Sequence, residues 1–154
     1  MRDWKYLALL TLFSWAAFAA GAEAGGKEAF VDYYATASTL INALNGVAAD
    51  LERMDLQSGD FPDDVAGDIK SRLAKVREGF DSVLTYDDRT NEINEGYILY
   101  IDKMLLSLMM AQEYRDRGGA ERRERLGRIL TESSELRAEL NRKVQRDKKA
   151  YGIN

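Results

Sequence analysis

Carboxylates, guanidiniums and phenols are the groups from which this chain would have to build any chemistry. It contains no histidine and no cysteine. That removes thiol and Ser-His-Asp nucleophiles, thiolate and imidazole zinc sites, and His-ligated haem. It also removes the Glu-x-x-His pairs that hold two metals inside helical bundles. Paired Asp and Glu would suit general acid–base catalysis, but the acids are spread over so many helix surfaces that no pair is singled out. The acidic connections Asp55 to Asp60 and Asp87 to Glu92 lack the ligand spacing of an EF-hand loop and read as solvated caps. Met104, Met109 and Met110 carry soft thioethers of the kind that bind copper(I). On a helix Met104 and Met109 share the core stripe while Met110 points elsewhere, so gap filling is their expected role. No catalytic residue, cofactor or metal site emerges from these residues.

Two other constellations stand out. The first is the stretch Tyr97 to Met110, YILYIDKMLLSLMM, the most apolar run outside the N-terminus. At about 100° per residue, Tyr97, Ile98, Ile101, Met104, Leu105, Leu108 and Met109 make one broad stripe. Leu99, Leu106 and Met110 make a second, roughly opposite. A helix that is apolar on two faces is central in a bundle or offers one face to another chain. Leu99, Leu106 and Met110 are therefore the expected interface, toward a protein partner or a second copy. The second constellation is aromatic. Tyr33, Tyr34, Tyr86, Tyr97 and Tyr100 fall, with Phe30, Phe80 and Tyr151, toward one end of the expected fold. Ordinary core layers would produce this pattern. A small-ligand or sensing site between helices is the functional alternative.

These residues need helices to position them. One proline in the whole chain, with few Val and Ile, indicates a mostly helical protein. Phe30, Ala37, Leu44, Leu51 and Tyr33, Leu40, Val47, Met54 fill the two seam positions of four heptads, predicting a helix over about 28–56. Pro62, followed by Asp63 and Asp64, starts a second helix over about 62–86, whose seam is Ala66, Ile69, Leu73, Val76, Phe80 and Val83. The third runs over about 90–117 and stops at Gly118-Gly119. The fourth runs over about 120–149 on a thinner stripe of Leu126, Ile129, Leu130, Leu136, Leu140 and Val144, fading after Val144. The expected fold is all-α, an up-down-up-down antiparallel four-helix bundle over residues 25–154. Gly79 and Gly96 flank the seams and are expected to let the second and third helices approach closely.

Residues 1–24 read as a secretory signal. Arg2 and Lys5 precede an uninterrupted apolar run from Leu7 to Ala20, and Ala22-Glu23-Ala24 offers a cleavage site before Gly25. The alternative is a retained membrane anchor, for which the run is short, since a span wants about 20 residues. The expected location is extracytoplasmic, periplasmic or secreted. Residues 25–114 carry 8 basic and 17 acidic side chains, whereas residues 115–154 carry 12 basic and 7 acidic. In the expected topology opposite charges meet at both ends of the bundle, so the basic fourth helix is neutralised internally and nucleic acid is not an expected partner. The reading is a non-enzymatic exported module that binds protein or serves as structure.

Overall fold

In the computed structural model, residues 4–153 are described, with side chains from Gly25 onward. The leader and its cleavage site before Gly25 lie outside the residues described with side chains. The described chain is four helices without strands: α1 (Trp4–Arg53), α2 (Asp63–Asp81), α3 (Asp88–Arg117) and α4 (Ala120–Tyr151). The most extensive packing is α3 on α4, followed by α1 on α2 and α2 on α3. One continuous core runs through them, from Phe30 and Tyr33 on α1 to Leu140 and Val144 on α4.

The seams of α1 and α2 are buried as their periodicity requires: Phe30, Tyr33, Ala37, Leu44, Val47 and Leu51 on one helix, Ala66, Ile69, Leu73, Val76 and Phe80 on the other. The helix ends differ from the expected bounds. α1 stops at Arg53, and the chain turns through Met54 N–H to Leu51 O (3.1 Å) and Leu56 N–H to Met54 O (2.9 Å). That turn carries Leu56 and Phe61 into the core. Gly59 stands at φ 74, with Arg115 Cα only 3.4 Å from where its Cβ would be, so both the turn and the close approach favour glycine. Pro62 is the N-cap rather than the first helical residue.

α2 ends at Asp81, five residues before the expected Tyr86. The cause is the start of α3. The Asp87 side chain accepts from Thr90 N–H (2.7 Å), and Thr90 Oγ1 accepts from Asp87 N–H (3.1 Å) and Tyr86 N–H (3.0 Å). This reciprocal cap fixes residues 86–90 as a helix entry and leaves 83–86 as connector. At the other end of the chain α4 does not fade after Val144. It continues to Tyr151 and closes at Gly152, φ 67, with Ile153 N–H donating to Lys148 O (2.9 Å).

The core face of α3 is rotated from the expected stripe. Tyr97, Ile101, Met104 and Leu108 are buried as expected, joined by Tyr100, Ser107 and Ala111. Met109, expected in the core, is 57 % exposed. The reason is α4. It packs onto a seat of small residues on α3, where hydropathy gave no cue: Gly96 lies under Leu140, and Ser107 turns its hydroxyl back onto Lys103 O (2.9 Å). The glycines likewise act elsewhere than expected. A Cβ on Gly79 would stand 2.5 Å from Leu40 Cδ2 of α1, and one on Gly96 would stand 2.5 Å from Leu140 Cδ2 of α4. They admit α1 and α4, not each other.

Candidate functional sites

Rotating α3 decides what it shows outside. Leu99 and Leu106 are 50 % and 41 % exposed, seven residues apart on one line. Met109 and Met110 flank Leu106 on the helical wheel, the first exposed and the second half-buried. With Ile129 of α4 they line a groove of about 540 Å³, bordered by Glu113, Arg125, Arg128 and Glu132. Of the three expected interface residues, two are open and Met110 forms the groove wall. Met109 belongs to the same surface and was missed because the hydrophobic stripe was drawn one position too wide.

The charges around this face are unequally engaged. Glu132 accepts from Lys103 Nζ (2.6 Å), and Glu113 pairs with Arg122 (3.1 Å). Asp102 accepts from Arg77 Nε (2.8 Å) and Glu92 from Lys143 Nζ (2.7 Å). The hydrogen bonds that Lys143 donates to Glu139 and Glu92 raise its pKa. Among the described residues, Arg125, Arg128 and Glu95 make no ion pair; Glu95 only accepts from Asn91 (3.0 Å).

The aromatic end splits into separate environments. Tyr33 and Tyr97 are buried, and their hydroxyls find no hydrogen-bond partner among the described residues. Burial pushes the Tyr97 phenol up to about 12, with Tyr34 close enough to add to the effect. Burial and then the nearby Tyr97 raise Tyr33 as well. Phe80 stacks on Tyr97 at 5.1 Å between centroids, and Phe30 on Tyr34 at 5.9 Å. Tyr100 belongs elsewhere: burial raises its pKa, opposed by Arg137 and aided by Glu52, which pair with each other across α4 and α1. Tyr86 sits in the connector, half exposed. Of the five expected tyrosines, Tyr33, Tyr34 and Tyr97 come together, and Tyr86 and Tyr100 do not join them.

Asp147 is a polar residue the sequence pattern passed over. Its carboxylate is wholly buried and accepts from the Arg89 guanidinium, which also donates to Tyr151 Oη (2.6 Å) and lies 5.4 Å over that ring. Arg146 Nε donates to the same carboxylate oxygen (3.2 Å), and the other oxygen is unpartnered. The signal was spacing: Leu140, Val144, Asp147 and Tyr151 follow the 4-3-4 steps of a helix seam. At the opposite end, Arg115 pairs with Asp63 (2.7 Å), donates to Phe61 O (3.2 Å) and covers the Phe61 ring.

Among the described residues no group of three or more His, Cys, Asp or Glu is arranged to hold a metal, and no helix is long and apolar enough to cross a membrane. Comparison with known protein families, curated proteins and solved structures finds no match to this chain.

Proposed function

We propose that the chain is an exported, non-enzymatic, up-down-up-down four-helix bundle that works as a protein-interaction or structural module through the outer face of α3. The observation that carries this reading is the exposed line Leu99, Leu106 and Met109 beside the α3–α4 groove. Apolar side chains aligned along one helix, with ionic groups at their border, are the usual make-up of a docking face. The ion pairs Arg115 with Asp63 and Lys143 with Glu92 favour internal use of much of the basic charge of residues 115–154 over a polyanionic partner.

Site-specific photo-crosslinking in the native cells tests the reading. A crosslinker at Leu106 is expected to trap a protein adduct that the same group at exposed Ser71 does not. Equal, background labelling at both positions removes it. Export rests on the leader, and N-terminal sequencing of the native protein is expected to begin at Gly25; a sequence beginning at Met1 or Arg2 turns the module into a membrane-anchored one.

A second reading, a small-ligand site at the tyrosine end, has one observation behind it. Among the described residues, Tyr33 Oη, Tyr97 Oη and Asn94 Oδ1 are all buried without a partner. A bound molecule that uses the Tyr33 hydroxyl makes Tyr33→Phe lower the melting temperature of the protein as purified from its host. An unchanged or raised melting temperature counts against the site, because deleting an unpaired buried hydroxyl is neutral or stabilising.

A further inference from the structure

We infer that the partner on the outer face of α3 is a second copy of this chain, packed with its α3 antiparallel to the first. The inference rests on the interaction reading above and names its partner. Three features of the face are self-complementary. The first is apolar. Leu99 and Leu106 lie about 10 Å apart along the helix axis at 1.5 Å per residue. A twofold axis midway between them sets Leu99 of each copy against Leu106 of the other. The second is at the axis itself, where exposed Asp102, held by Arg77, and half-buried Lys103, held by Glu132, come to one level with opposite sign, so the axis sets no like charges against each other.

The third concerns the charges left without a partner. Glu95 lies one helical turn beyond Leu99, so the same twofold carries it to the level of Met110 on the other copy. Met110 shares its groove with Arg125 and Arg128. Glu95, Arg125 and Arg128 make no ion pair among the described residues, whereas Glu92, Asp102, Glu113 and Glu132 are each already held by a cation. One antiparallel arrangement thus joins leucine to leucine and the unengaged acid to the unengaged arginines, twice over. A different protein would need matching features of its own; a second copy already has them.

The test uses protein expressed from the whole sequence and purified in the form the cell leaves it. Sedimentation velocity is expected to show a dimer. Glu95→Arg and, separately, Arg125→Glu with Arg128→Glu are expected to raise the dissociation constant by about tenfold or more, with helical content by circular dichroism unchanged. Mixing the two variants restores both contacts of the twofold and is expected to return a heterodimer. A wild-type monomer at millimolar concentration overturns the inference. So does a dimer indifferent to the reversals, or a failure of the mixture to associate. If the protein is monomeric and Leu106 still crosslinks to another protein, self-pairing is wrong and the interaction reading stands. If neither is seen, both fall.

Discussion

The guanidinium of Arg89, in the first turn of α3, is bound to the fully buried carboxylate of Asp147, one turn from the end of α4. The two residues are 58 positions apart. A buried carboxylate left without its cation is far costlier than the pair is stabilising. Arg146 still donates to that carboxylate, so Arg89→Met is expected to lower unfolding free energy by about 1.5–3 kcal/mol, measured by urea denaturation. Adding Asp147→Leu to that variant is expected to restore most of the loss, since an apolar pair needs no compensation.

The glycines divide into two classes that one substitution separates. Gly46 and Gly67 are in exposed helix interiors with nothing within 4 Å of an added Cβ. Changing either to Ala is expected to stabilise by up to about 1 kcal/mol. Gly79→Ala and Gly96→Ala gain the same propensity but drive a methyl to within 2.5 Å of Leu40 or Leu140. Leu140 is buried, so overpacking of about 1–3 kcal/mol is expected to make Gly96→Ala lower the melting temperature while Gly46→Ala and Gly67→Ala raise it; half-buried Leu40 can turn its Cδ2 aside, so Gly79→Ala is expected to be close to neutral.

Much of this was legible in the chain. Regular spacing from Phe30 to Leu51 and from Ala66 to Phe80 set two buried faces correctly, because both helices present a single apolar stripe. α3 was misread because it presents two. Gly96 lies under Leu140 of α4 and Ser107 lines a cavity with Leu130 and Ser133 of α4, contacts made through smallness, which hydropathy cannot see. Met109 was drawn inward for the same reason. Asp147 was passed over because an acid in a seam normally argues that the seam has ended; its countercharge lies on another helix. The second stripe, Leu99, Leu106 and Met110, is legible because it lies roughly opposite the core stripe on the helical wheel; Leu99 and Leu106 are exposed and Met110 is half-buried against the core.

Alkaline pH is expected to unfold the protein through its buried phenols. The folded-state pKa of Tyr97 is raised to about 12 and that of Tyr33 is also raised, against an ordinary value of 10.0. Below pH 10 both phenols are neutral in either state and their contribution is intact. Above it the unfolded chain releases protons that the folded one retains, so stability falls as pH rises from 10 toward 12. Denaturant titrations across that window, with tyrosinate absorbance, check the slope. Tyr97→Phe is expected to flatten it.

The entry to α3 depends on Thr90, which is wholly buried. Thr90→Val keeps the shape and removes the acceptor used by the N–H groups of Tyr86 and Asp87. The expected loss is about 1–2 kcal/mol, in the range of a lost cap. Amide exchange at residues 83–87 is expected to quicken ahead of the rest, which separates a loosened entry from general destabilisation.

The outward turn of Met109 places an oxidisable sulfur on the face proposed for docking, while Met104 lies sealed in the core. An oxidant would reach the first long before the second. Sulfoxide formation makes a flexible apolar side chain polar, so mild peroxide would blunt the α3 face while leaving the fold standing. Were the proposed dimer exported, its association would then record oxidative exposure, and sulfoxide reduction would erase it.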